Sequence, residues 1–288
     1  MHAFQNIPLP DQNQLQIGRP VPPSPTFSDI VYKRLEGFPL ALDVYLPPSP
    51  QKTPENGWPV IVWFHGGGWH QGARGFPYLH VLLQYGFAIV DADYRLTDKG
   101  TVQDILADCY SVLNWIMEEH ASFNLNANAI SVAGSSAGGH LALLVASGVD
   151  RPEDSPKIKA VAAFCPPTDL ACSDAIHAHP RRDDYHWMLE KLLGGPLEAH
   201  MELAIKYSPA SYVNGNMPPA FLLHGNNDSV IDVEQSRVYT QLMRMSGADI
   251  VYEEVEGGEH SADSWNWKEI TASVHHFFLT RLLLLHEG

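Results

Sequence analysis

The stretch Ala129-Ile-Ser-Val-Ala-Gly134-Ser135-Ser136-Ala137-Gly138-Gly-His140-Leu-Ala-Leu-Leu-Val-Ala146 decides how this chain folds. Ala129 to Ala133 is a short, mostly apolar run stopped by glycine, as expected of a strand. His140 to Ala146 is apolar and free of breakers, as expected of a helix. Between them stands a Gly-x-Ser-x-Gly run centred on Ser136. A turn this tight strains the central residue, and Gly134 and Gly138 keep its surroundings clear. The serine oxygen then projects above the sheet at a helix N-terminus, where backbone amides favour developing negative charge. Ser136 is therefore the candidate nucleophile.

Upstream, Val60-Ile-Val-Trp-Phe64 reads as a strand buried on both faces, followed directly by His65-Gly66-Gly67-Gly68-Trp69. Consecutive glycines at a strand end let backbone amides approach a ligand closely. Gly67 and Gly68, joined by the amide of Ala137, are the candidate oxyanion donors. Downstream, a serine hydroxyl needs a base, and the base needs a carboxylate to hold its tautomer. The Gly-x-Ser-x-Gly turn resembles the nucleophile elbow of α/β-hydrolases, which implies the chain order Ser, then Asp or Glu, then His. The strand Ala220–Leu223 leads into His224-Gly-Asn-Asn-Asp228, and Ile250–Val255 leads into Glu256-Gly-Gly-Glu259-His260. Asp228 and His260 satisfy the order. Asp232 reads as a helix cap, Asp263 follows the candidate base, and His275 and His276 fall within the last helix. His65 and His224 read as loop supports. The histidines have no metal-ligand spacing, so neither metal nor cofactor is expected.

The remaining pattern alternates. Asp29–Arg34 and Leu40–Leu46, joined at Glu36-Gly37, read as an antiparallel pair. Further strands are expected at Gly86–Ala92 and Ala160–Phe164, with helices at Ile105–Met117, Val233–Met245 and Trp267–Leu284. This is an α/β class chain with a mostly parallel central sheet and helices on both faces. Residues 1–28, rich in Pro, Gln and Asn, read as an extended leader before a domain at 29–288. Residues 171–206 break the alternation and read as a small lid insertion shaping a substrate pocket, with a helix at Trp187–Leu193.

Lys plus Arg is 18 and Asp plus Glu is 33, so the formal net charge is −15. That sign repels phosphate backbones and anionic headgroups, and the reading has no nucleic-acid and no membrane partner. Cys109, Cys165 and Cys172 show no paired spacing, so no disulfide framework is expected. The opening MHAFQNIPLP lacks a basic and an apolar region, so the expectation is a cytoplasmic protein without a signal peptide. A homodimer stays open.

His65-Gly-Gly-Gly-Trp69, Asp93-Tyr-Arg-Leu96, Gly134-Ser-Ser-Ala-Gly-Gly-His-Leu141, Pro167-Thr-Asp-Leu170, Ser208-Pro-Ala-Ser-Tyr212, His224-Gly-Asn-Asn-Asp228 and Gly258-Glu-His260 together resemble the α/β-hydrolase esterases. The BD-FAE-like carboxylesterases are the nearest branch and the hormone-sensitive-lipase-like esterases the next. The resemblance covers roughly residues 29 to 285. It implies the α/β-hydrolase fold, Ser136 as nucleophile, His260 as base then acid, and Asp228 as orienting carboxylate. Gly67, Gly68 and Ala137 would form the oxyanion hole, with Trp69 and Trp187 at the substrate. Two departures stand out: Glu259 before the histidine, which would tune His260 electrostatically, and a leader too short for a full helical cap. The expected substrate is a small short-chain acyl or aryl ester, acetyl and feruloyl esters included, cleaved through an acyl-enzyme. The alternatives are an arylformamidase-type amide hydrolase on the same triad, or a non-catalytic hydrolase-fold receptor.

Overall fold

The computed structural model describes residues 21–49, 51–172, 182–261 and 265–283. Eight strands make one sheet: β1 (Phe27–Leu35), β2 (Phe38–Tyr45), β3 (Trp58–Phe64), β4 (Ala88–Ala92), β5 (Leu125–Ser135), β6 (Val161–Phe164), β7 (Ala220–Gly225) and β8 (Ile250–Val255). Their order is β1-β2-β4-β3-β5-β6-β7-β8. β1 pairs antiparallel with β2, and β2 with β4; from β4 to β8 every neighbour is parallel. The helices are α1 (Val102–Glu119), α2 (Ala137–Ser147), α3 (Arg182–Leu193), α4 (Met201–Lys206), α5 (Glu234–Met245) and α6 (Trp267–Phe278).

Side chains alternate across a strand, and in β3 this divides the core into two layers. Val60, Val62 and Phe64 pack with Leu106 and Leu113 of α1 and Leu141 of α2. Ile61 and Trp63 face the other way, onto Val274, Phe277 and Phe278 of α6. Every residue of β3 and β4 is buried, which is why both runs are continuously apolar, apart from Asp91 in β4. This is the expected α/β-hydrolase architecture, with its antiparallel opening.

Several boundaries differ. The strand expected from Gly86 begins at Ala88, because Gly86 adopts φ 83° to end a 3-10 helix at Tyr78–Tyr85. That helix was not foreseen; it buries Leu79, Leu82, Leu83 and Tyr85 under the sheet. The helix expected from Trp187 starts five residues earlier, at Arg182. The last helix gives way after Phe278 to a π-helical turn at Leu279–Leu283. Most of the predicted leader, residues 1–20, lies outside the described residues, as do residues 173–181 of the predicted lid insertion. The described remainder of that insertion carries α3, a 3-10 turn at Leu197–Ala199, and α4. Among the described residues no helix is long and apolar enough to cross a membrane.

One buried charge stands apart from the core pattern. Asp91 of β4 is 0% exposed and lies opposite Asp43 of β2. One carboxylate oxygen accepts the Gly75 N–H at 2.6 Å, and the other has no partner among the described residues. Arg74 ties Asp29, Asp43 and Asp93 together beside it. Burial pushes the Asp91 carboxyl up to about 7, against the Gly75 N–H and Arg74, with Asp43 and Asp93 adding to the rise.

Candidate active site

The elbow forms because only glycine fits where α2 starts against β3. A Cβ on Gly138 would stand 2.0 Å from the Phe64 carbonyl oxygen and 2.4 Å from that of His65. Ser136 takes the strained conformation φ 54°, ψ −122° at the head of α2. It is pinned there by its N–H donating to the Phe164 carbonyl oxygen at the end of neighbouring β6 (2.7 Å), and by its carbonyl oxygen accepting the His140 N–H (3.0 Å).

Three side chains from three loops meet above this turn. Ser136 Oγ lies 2.9 Å from His260 Nε2, and His260 Nδ1 lies 2.7 Å from Asp228 Oδ2. A carboxylate only accepts, so Nδ1 carries the proton and Nε2 is left to accept from the serine hydroxyl. Asp228 is 7% exposed and held from every side. Its Oδ1 accepts the N–H groups of Val230 (2.8 Å) and Ile231 (2.9 Å), and its Oδ2 also accepts from His224 Nε2 at 3.1 Å. Burial alone would raise this carboxyl. The hydrogen bonds from His224 and His260 outweigh it and hold the group well below the usual carboxylate range. Asp228 therefore stays ionised and keeps the imidazole oriented.

The glycine loop faces the same space. Gly67 and Gly68 line the cleft beside Ser136, with φ of 121° and 58°. Ala137 is the first residue of α2, where an N–H has no intrahelical partner. Gly67 O accepts the N–H groups of His70 (3.2 Å) and Gln71 (3.1 Å), which curls the loop into a rigid turn.

The cleft has a volume of about 740 Å³. One wall is aromatic: Trp63, Tyr78, Phe164 and Trp265. Trp63 stands 5.0 Å from Tyr78 and 5.9 Å from Phe164, ring centre to ring centre. The other wall comes from the insertion, where Trp187 and Met188 of α3 meet His70 and Gly68. Trp187 is 46% exposed and edge-on to His70 at 4.9 Å.

Trp69 does not join them, which corrects the expectation that it contacts substrate. It is 1% exposed, does not line the cleft, and packs edge-on against His140 at 5.2 Å. A positive φ of 60° turns it into the core below the loop. The Glu259 carboxylate accepts from Asn227 Nδ2 at 2.6 Å and so ties the Asp228 and His260 loops together. Asp232 accepts the Glu234 N–H as a cap, His275 stacks on Tyr85, and His65 stacks on Tyr94. Asp263 lies outside the described residues.

Sequence reasoning missed the aromatic wall and the contact of His224 with Asp228. Trp63 carried a signal, since a Trp inside a strand ending at a glycine loop has its ring near that edge. Among the described residues the one set of three metal-ligating groups within 4.8 Å is Cys165, Asp228 and His260. Burial, with Asp228 adding to it, pushes the Cys165 thiol well up, and both Asp228 oxygens are already engaged. The donor set is that of the acid end of a hydrogen-bonded relay.

Fold and elbow together define a protein of the α/β-hydrolase class. Within it, the sequence pattern of the BD-FAE family matches residues 42–243, and the chain belongs to that family. It is 28% identical over 218 residues to a probable carboxylic ester hydrolase, LipM, of Mycobacterium tuberculosis, covering 71% of this chain and 49% of that one. Esterase LipC of the same organism is 28% identical over 221 residues, covering 71% and 53%. The chain thus spans about half the length of these curated relatives. Among solved structures, the propionate-bound esterase Est2 of Thermogutta terrifontis superposes with a TM-score of 0.72 at 25% identity, covering 92% of this chain and 98% of that one.

Proposed function

We propose that this protein is a serine carboxylesterase for short-chain acyl or aryl esters, working through an acyl-enzyme. The observation that carries the reading is the continuous chain from Ser136 Oγ to His260 (2.9 Å) to Asp228 (2.7 Å) at the mouth of an open cleft. His260 Nε2 takes the serine proton as Oγ attacks the ester carbonyl. The oxyanion then forms against the amides of Gly67, Gly68 and Ala137, and Asp228 stabilises the imidazolium. His260 returns the proton to the leaving alcohol, and water repeats the sequence on the acyl-serine. The curated relatives are named as esterases, and the propionate held by Est2 favours a short acyl group. The aromatic wall of Trp63, Tyr78, Phe164 and Trp265 suits an acetyl or an aryl group such as feruloyl through stacking and apolar contact.

The test is turnover of p-nitrophenyl acetate, butyrate and octanoate, a feruloyl ester and N-formylkynurenine by wild type and Ser136→Ala. Ester turnover that drops by on the order of 10³ or more in the variant supports the reading. Turnover untouched by the substitution, or confined to the formamide, would overturn it.

A further inference from the structure

His224 carries no assigned role, and its surroundings are unusually complete for a loop support. It is 0% exposed and sits at the end of β7, four residues before Asp228. Its Nε2 lies 3.1 Å from Asp228 Oδ2 and 3.0 Å from the Ile231 carbonyl oxygen, and its Nδ1 lies 2.7 Å from Ser236 Oγ on α5. Neither Asp228 nor a carbonyl has a proton to give, so Nε2 is the donor and Nδ1 accepts from the Ser236 hydroxyl. The tautomer is thus set from the side away from the cleft. Asp228 Oδ2 consequently receives two imidazole N–H groups, one from each histidine.

We propose that His224 is a positioning residue that sets the basicity of His260 by sharing the charge of Asp228 Oδ2, with Ser236 anchoring its ring. The inference rests on the esterase reading above. A second donor draws negative charge away from the His260 N–H, so the imidazolium gains less from Asp228 than it would from a singly bonded carboxylate. Removing that donor restores the stronger pull of Asp228 on the imidazolium. The direction follows from the described neighbours: Asp228 and Cys165 face the relay, Ser136 faces Nε2, Glu259 accepts from Asn227, and Asp184 of α3 lines the same cleft. Glu254, opposite His224 on β8, is paired with Arg237. Asp228 keeps its two backbone donors without His224, so its position changes less than its charge does.

The experiment measures kcat and KM against pH on p-nitrophenyl acetate for wild type, Ser136→Ala, His224→Leu, His224→Gln and Ser236→Ala, with melting temperatures for each. In His224→Leu the acidic limb of kcat/KM moves up by about half a pH unit or more. Its kcat falls about 10-fold through looser alignment, with KM little changed. His224→Gln restores an N–H near the Nε2 position and brings the limb back toward wild type. Ser236→Ala, which only frees the ring, shows a smaller shift of the same sign and covers the case in which the leucine variant does not fold. A folded leucine variant with a wild-type limb overturns the inference and leaves the esterase reading standing. Equal losses in Leu and Gln variants without a limb shift also overturn it, since that is packing alone. Absence of Ser136-dependent turnover in wild type overturns both.

Discussion

Replacing Asp91 with asparagine should stabilise the protein at alkaline pH and not at acidic pH. In the folded chain the carboxyl titrates at about 7, against 3.8 when unperturbed. Well below pH 3.8 it is protonated in both states and contributes no pH dependence. As pH rises toward 7 the unfolded chain releases the proton while the folded chain keeps it, so stability falls; above 7 both are ionised and the loss is complete. The interval is 7 − 3.8, or about 3 pH units, and at 1.36 kcal/mol per unit the full loss is about 4 kcal/mol. Between pH 5 and pH 8.5 the portion crossed is 7 − 5, or about 2 units, worth about 3 kcal/mol. Asparagine keeps an acceptor for the Gly75 N–H and never ionises. Its buried amide costs the same at both pH values and drops out of the comparison. Urea unfolding of wild type and Asp91→Asn at pH 5 and 8.5 should therefore show a stability difference that shifts by about 3 kcal/mol in favour of the variant at the higher pH. A difference that is the same at both would refute the reasoning, because an ionised Asp91 would then cost the fold nothing.

Gly138→Ala places a methyl 2.0 Å from the Phe64 carbonyl oxygen, which is backbone and cannot move aside. Thermal unfolding should register a loss of about 3 kcal/mol or more with displacement of Ser136, and a variant of wild-type stability and activity would contradict the close approach. Asp228→Asn should lower kcat by on the order of 10³ to 10⁴, because the amide lets His260 take the wrong tautomer; a loss under tenfold would remove Asp228 from the relay. Trp187→Ala, at an exposed position on α3, should leave stability within about 0.5 kcal/mol while raising KM for a feruloyl ester several-fold more than for acetate. Equal KM values would mean that the α3 wall does not touch the substrate.

Local pattern carried much of this. The central strands β3, β4, β6 and β7 were legible from apolar runs, because a strand buried on both faces has few polar residues to confuse with a helix, while β1 and β2 were legible as a pair from the turn at Glu36-Gly37. The elbow was legible because a strand, a Gly-x-Ser-x-Gly turn and a helix succeed one another within eighteen residues. Asp228 and His260 could be ordered without coordinates, since each follows a strand that runs parallel to the others and so ends at the same edge. The 3-10 helix at Tyr78–Tyr85 was missed because it is too short for a periodic signal.

Position along the chain says little about which way a side chain turns once the backbone leaves a regular element. Trp69 follows the glycine loop directly, yet its positive φ sends it under the loop against His140. Trp187 is remote in sequence and reaches the cleft because α3 folds back over Gly68. His224 was read as a loop support, and only the turn at residues 225–228 swings Asp228 back onto its Nε2. What the sequence by itself determined was the succession of strands and helices and the loops that carry Ser136, Asp228 and His260, because burial period is a property of consecutive residues. The walls of the cleft, the double imidazole contact on Asp228 and the raised carboxyl of Asp91 were decided by tertiary structure alone, because each depends on groups that only packing brings within a few ångströms.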